Sequence, residues 1–319
     1  MVKMCQTSFF TFLCFIMIFP VKAMEFRFPV ACQIMGNCWI TNHVDLDDRS
    51  GRVSDYMCGK KATDNNKSTH ISLSSQKAVL QNMPVLASAS GKVQVAGNVG
   101  GFCGTRVLIK HAKGWESSYC HLNPRTLTVR AGQAVQQGQI IGSIGTSGQT
   151  SWPHLSFATI RNGMVFDPFS GRTAIEGCSA KTQSLWVGGM NPPYEPAAVA
   201  SAGFTVGHVP NSSILNGTAQ TATAIRTATL QLSLWSLMMN LRVDDEITIL
   251  IEAPDGKIFK EFKKTITKDS PYFPVNLSVL KKNIRWEAGD YKGTITIERR
   301  VNGNTIKSGR IVHLKLVDD

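Results

Sequence analysis

The sequence predicts a mostly β protein in two parts, an antiparallel sheet domain followed by a β-sandwich. Three observations carry this. Between Gly101 and Asp167, short apolar–polar alternations are cut by Gly132, Gly138, Gly142, Gly145 and Gly148, as tight turns between short strands require. From about residue 219 a second set of apolar runs is separated by turn signals such as Ala253-Pro254-Asp255-Gly256 and Val301-Asn302-Gly303-Asn304. Between the two, residues 181–218 are rich in Gly, Pro, Ala and Ser with no sustained apolar period, and read as a linker.

Taken in order, the chain opens with Lys3, an almost wholly apolar run from Ser8 to Pro20, and Val21-Lys22-Ala23. This is the layout of a signal peptide cleaved after Ala23, so residues 1–23 are expected to be removed. The run falls short of the roughly 20 apolar residues that span a bilayer. No other stretch is long enough, and Cys14 lacks the small residues of a lipoprotein site. The protein is therefore expected to be exported, periplasmic or secreted, with no transmembrane anchor after cleavage.

Export changes how the cysteines read. Cys32, Cys38, Cys58, Cys103, Cys120 and Cys178 remain, an even set in an oxidising compartment, which implies disulfides. About 15 pairings are open to six cysteines. Cys32 and Cys38 flank a short Gly-Asn turn and are expected to pair. Cys103 and Cys120 lie near opposite positions of a hairpin around Lys113, which favours a bridge across it. Cys58 and Cys178 are then left for each other. There is no Cys-x-x-Cys spacing of the kind a metal cluster needs.

The 34 basic and 22 acidic residues give a net charge of +12, and loss of Lys3 and Lys22 leaves +10. An exported basic protein favours anionic surfaces such as cell-wall polymer or lipid headgroups over nucleic acid. Solubility alone explains the charge equally well, because no run of five like charges occurs. Residues 24–62 form a Cys-rich leading segment. Its acids Asp45, Asp47 and Asp48 lack the regular ligand spacing and closing Glu of an EF-hand and read as a solvated turn.

The sheet domain is expected over residues 63–180. Arg106 to His111 and Trp115 to His121 read as β-runs around a turn at Ala112–Gly114. His121, in Tyr-Cys-His-Leu, and His154, in Pro-His-Leu-Ser-Phe, fall at strand ends or loops. Each alone is more often a structural histidine than a functional one. Both within one glycine framework make a candidate site.

Four pieces carry a resemblance: Cys-Gly-Thr-Arg-Val-Leu-Ile-Lys-His ending at His111, Tyr-Cys-His-Leu around His121, the glycine-spaced run from Val129 to Gly148, and Pro-His-Leu-Ser-Phe followed by Asp167-Pro168. Together they resemble the lysostaphin-type (LytM-like) zinc metallopeptidases that cut peptidoglycan cross-bridges, over roughly residues 55 to 170. The resemblance implies the antiparallel sheet called the duplicated hybrid motif. It implies zinc held by the His and Asp of His-x-Gly-x-Asp and by the second His of His-x-His, with His121 and His154 as catalytic histidines.

This chain departs from that pattern. Laying the family His on His70 puts Ser74 at the Asp. Laying it on Asn66 puts Ser68 at the glycine and His70 at the Asp, which keeps the Lys-x-Thr and apolar context better and is preferred. Ser156 stands where the last ligand should be. A neutral amide and a hydroxyl are poor zinc donors, and a catalytic zinc takes three imidazole, carboxylate or thiolate ligands. No cofactor is expected unless zinc enters a rewired site, with His70, His121 and His154 as its ligands.

The second part, residues 219–319, is expected to be an accessory β-sandwich. Trp286-Glu287-Ala288-Gly289-Asp290-Tyr291 is similar to a strand opening of immunoglobulin- or fibronectin-like domains. His313 is its only histidine and it holds no cysteine. Three functions compete: a non-catalytic protein that binds peptidoglycan or regulates a cell-wall hydrolase, an active zinc metalloendopeptidase with a rewired site, and a structural envelope protein. The first accounts best for Asn66 and Ser156.

Overall fold

The structure, a computed structural model, describes residues 24–179, 183–281, 286–301 and 303–318. The expected signal peptide, residues 1–23, lies outside the described residues. Ten strands build the first domain: β1 (Cys38–Asn42), β2 (Thr69–Leu73), β3 (Pro84–Leu86), β4 (Gly91–Asn98), β5 (Thr105–Lys110), β6 (Trp115–Cys120), β7 (Ala134–Val135), β8 (Ile140–Ser143), β9 (His154–Arg161) and β10 (Met164–Phe166). The main sheet runs β1-β2-β9-β6-β5-β4-β7, with β10 paired to the far end of β9, and β3 pairs with β8 in a separate ribbon. The period-2 pattern explains β5: Val107 and Ile109 point inward, and Arg106, Leu108 and Lys110 are more exposed. The inward residues join Phe26, Ile71, Leu73, Tyr119 and Phe157 in one core. Burying each such side chain contributes about 1.5–3 kcal/mol.

The leading segment 24–62 is part of this domain. Phe26 is fully buried, edge-on to Trp115 at 5.5 Å, and β1 is an edge strand of the main sheet. Asp45 organises a turn: its carboxylate accepts from the backbone N–H groups of Asp47, Ser54 and Asn65. The bridges are Cys32–Cys38, Cys58–Cys178 and Cys103–Cys120.

The second domain holds β11 (Ala198–Val206), a short helix α1 (Asn211–Asn216), β12 (Ala224–Arg226), β13 (Gln231–Leu241), β14 (Glu246–Glu252), β15 (Ile258–Thr265), β16 (Ser270–Leu280), β17 (Gly289–Val301) and β18 (Asn304–Val317). A three-stranded sheet, β11-β13-β16, faces a five-stranded one, β12-β18-β17-β14-β15. The two share a core that includes Leu232, Leu234, Ile249, Tyr291, Ile295 and Leu314. The expected linker 181–218 is corrected here. Its second half contains β11, which pairs with β13 from Ala198 opposite Met239 to Val206 opposite Leu232, and α1. Small residues suggested a linker, but in β11 they allow close packing between layers. β16 carries Pro271 and Pro274. It is the edge of its sheet, where a missing N–H costs no ladder bond.

The two domains are packed together through β13, which is buried on both faces. Leu232, Leu234 and Met238 enter the sandwich core. The alternate residues Trp235, Leu237 and Met239 join a separate apolar cluster with Trp39 and Trp152 of the first domain. The side chain of Tyr272, on β16, stacks on Trp152 with ring centroids 3.8 Å apart. Arg242 Nη2 donates to Ala62 O at 3.1 Å, and the buried Lys61 ammonium donates to Glu195 O. Among the described residues no helix is long and apolar enough to cross a membrane.

Candidate functional site

The sheet register assembles the site. Asn42 pairs with His70, His70 with Ser156, and Ser156 with Cys120, so one row crosses β1, β2, β9 and β6. Directly paired residues project from the same face. A bulge between Ile40 and Asn42 brings Asn42 rather than Thr41 opposite His70. Two positions along β9 from Ser156, on the same face, lies His154.

Ser68 is the hub of this face. Ser156 Oγ donates to Ser68 Oγ at 2.9 Å. Ser68 Oγ lies 3.1 Å from His70 Nε2 and 3.3 Å from Asn66 Oδ1. Asn66 Nδ2 donates to His43 O and Ser68 O, both at 2.6 Å. The four residues of the preferred alignment, Asn66, Ser68, His70 and Ser156, thus meet in one hydrogen-bonded cluster. Sequence reasoning placed Ser68 at the family glycine but gave it no role. The signal was present: a hydroxyl where the motif has no side chain.

His154 stands between the other two imidazoles, with ring centroids 4.7 Å from His70 and 4.5 Å from His121. His121 follows β6 with φ 64°, a left-handed turn of the backbone that swings its ring toward the face. The Cys103–Cys120 bridge and the bond from His121 N to Cys103 O, 2.9 Å, hold that turn. Gly104 and Gly148 pack so closely that a Cβ on either would collide with backbone, which brings the Phe102 and Ser147 loops together beside it. His121 Nδ1 is 2.8 Å from Ser147 O, and His154 Nδ1 is 2.9 Å from Trp152 O. A carbonyl only accepts, so both Nδ1 atoms carry the proton and both Nε2 atoms are acceptors.

Burial makes all three imidazoles hard to protonate. Desolvation holds His154 down at about 4. His70 lies well below the usual histidine value, by burial and then by its two histidine neighbours. His121 is lowered by burial against the opposing bond to Ser147.

The three histidines line a cleft of about 350 Å³ with Asn42, Phe102 and Trp152. Its other wall comes from the second domain: Arg242, Asp269 and Tyr272. Sequence reasoning missed this wall, since nothing local in Ser270-Pro271-Tyr272 marks it. Trp152 is fixed by a bond from its indole N–H to Leu73 O, 2.9 Å.

A model of Peptidase family M23 matches residues 72–168. Lipoprotein NlpD of Yersinia enterocolitica is 37% identical over 71 residues, covering 22% of this chain and 71% of that one. The chain belongs to peptidase family M23. Cell division protein DipM of Caulobacter vibrioides is 42% identical over 77 residues, 24% of this M23 chain and 12% of DipM. DD-carboxypeptidase/endopeptidase Mpg of Neisseria meningitidis serogroup B is 38% identical over 93 residues, 29% of this chain and 21% of Mpg. The chain thus spans only a minor part of the length of these last two. Among solved structures, the catalytic domain of lysostaphin from Staphylococcus simulans is 29% identical, covering 33% of this chain and 77% of that one, with a TM-score of 0.28.

The donor set does not fit the zinc that this family implies. Tetrahedral protein zinc takes imidazole, carboxylate or thiolate ligands. Here one imidazole, one amide and two hydroxyls are bonded to one another. In the rewired three-histidine set, His70 Nε2 is engaged by Ser68 Oγ at 3.1 Å.

Proposed function

We propose that this M23 protein works at the bacterial cell envelope as a non-catalytic member that binds peptidoglycan or a cell-wall hydrolase. One observation carries the reading: the Ser68 hydroxyl sits among the three family ligand positions and bonds His70 and Ser156. Without zinc there is no Lewis acid to polarise an amide and no water of lowered pKa. His121 and His154 then have no nucleophile to serve. They remain as fixed neutral acceptors lining a cleft, which suits binding. The envelope setting is supported by relatives whose names place them there, the NlpD lipoprotein and the peptidoglycan DD-endopeptidase ShyC of Vibrio cholerae, 34% identical over 85 residues. An exported location, periplasmic or secreted, and the absence of nucleic acid among its partners belong to the same proposal.

The test is co-sedimentation of the purified protein with peptidoglycan sacculi, followed by analysis of the supernatant. The protein is expected to sediment with sacculi, or with a wall hydrolase added to them, and to release no soluble muropeptides even with added zinc. Muropeptide release that stops on chelation would establish the endopeptidase instead.

A further inference from the structure

The sandwich of the second domain leaves one strand edge open. Its five-stranded sheet ends on β15, which pairs with β14 and with no other strand among the described residues. A free edge presents unpaired N–H and C=O groups, a template for a further strand. The three-stranded sheet ends on β16 at the same side of the sandwich: Lys264 Nζ, on β15, lies 5.3 Å from the ring centroid of Phe273, on β16. Pro271 and Pro274 deprive β16 of two N–H groups. β15, Ile-Phe-Lys-Glu-Phe-Lys-Lys-Thr, holds no proline and keeps all of its donors.

The side chains of β15 set what can pair there. Lys260, Phe262 and Lys264 lie opposite Ile251, Ile249 and Ile247 of β14 and project from the same face. The three isoleucines are buried in the sandwich core. β15 lies at the rim of that core, so Phe262 is half-buried, and Lys260 and Lys264 are exposed on either side of it. From Lys257 to Lys268 the chain has five lysines and one acid, Glu261. Lys257 is taken by Asp255 at 2.7 Å and Lys263 by Glu261 at 2.8 Å. Among the described residues, no carboxylate lies within ion-pair distance of Lys260, Lys264 or Lys268. A second copy of β15 is a poor partner for this edge, because like charges set opposite one another destabilise a strand pair. A strand of opposite charge fits it.

We infer that the free edge of β15 is a docking site for an acidic, extended segment of a partner polypeptide, added as a further strand of the sheet. Its backbone continues the ladder of β15, and its side chains give specificity. On the face that carries Lys260, Phe262 and Lys264, the segment presents an acid, an apolar residue and an acid at every second position. This surface lies on the second domain, away from the histidines, and the inference stands whether or not the first domain binds the cell wall.

The test is fluorescence anisotropy of a labelled heptapeptide, Thr-Glu-Thr-Val-Thr-Glu-Thr, titrated with the full chain. The peptide is expected to bind, and its counterpart with lysine in place of glutamate is not. Two forms N-methylated at alternate nitrogens separate pairing from charge. Only one set of N–H groups faces β15, so one form should lose binding and the other keep it. Lys260→Glu with Lys264→Glu should weaken binding by roughly tenfold or more. Glu261→Lys, which removes the one acid, should tighten it. Thermal melts identify a variant that fails to fold, and the single substitution carries the test if the double one does. No binding of the acidic peptide, equal binding of both methylated forms, or unchanged affinity in the folded variants overturns the inference. Sedimentation with phosphatidylglycerol vesicles, in a protein that ignores the peptide, makes the lysines a lipid contact and overturns it as well.

Discussion

At the scale of single residues, the proposed function turns on one hydroxyl. Ser68 Oγ lies within hydrogen-bond distance of Ser156, His70 and Asn66 at once. On the proposed reading, replacing the three surrounding residues should not be enough to rebuild the site. Asn66→His, His70→Asp and Ser156→His together should bind zinc weakly, and adding Ser68→Gly should bind it markedly tighter in competition with a chromogenic chelator. Equal affinities would mean that Ser68 does not obstruct the position. A second residue, Asp167, reports on the same domain through pH. It is fully buried, its Oδ1 accepts from Phe169 N, Ser170 N and Ser170 Oγ, and its Oδ2 has no partner. Burial raises it to about 7 from 3.8. A folded value above the unfolded one means stability that is present below about pH 4 and lost as pH rises through 7. At about 1.4 kcal/mol per unit the loss amounts to a few kcal/mol. Urea denaturation of the wild type and Asp167→Asn across pH 4–8 should show a fall in the wild type that the variant lacks. Parallel profiles would contradict it.

At the scale of elements, most of the first domain was legible because its strands alternate and its turns carry glycine. β5 and β6 fall within a residue of the runs read from the sequence. The two histidines and the Asn66–His70 alignment came from a resemblance of motifs, and β2 and β9 put His70 opposite Ser156. What was not legible depends on distant chain. The small residues of β11 look like a linker until β13 covers them, and the prolines of β16 are acceptable only at a sheet edge. The cleft's second wall, from Arg242 to Tyr272, has no local signature at all. The bridges tie these elements down. Cys58–Cys178 spans 120 positions and joins the leading segment to the end of the sheet domain. On the chain-entropy account, closing a loop of that length contributes about 4–5 kcal/mol. Replacing both with serine should lower the melting temperature clearly, with the Cys103–Cys120 bridge intact by mass spectrometry. An unchanged melt would show that packing alone holds the leading segment.

At the scale of the molecule, the second domain is a wall of the site. β13 serves two cores at once, and Tyr272 stacks on Trp152 beside His154. A double-mutant cycle on Trp152→Ala and Tyr272→Ala should give a coupling of about 0.5–1.5 kcal/mol, as stacked aromatic pairs do. Additive losses would separate the domains in solution. The central claim is that an M23 fold has exchanged its metal for a hydrogen-bonded cluster. The most direct measurement is the zinc content of the purified, metal-replete protein by mass spectrometry. The account predicts far less than one equivalent after dialysis against free zinc and then buffer. A full equivalent, lost on chelation and absent from the His70→Ala variant, would contradict it.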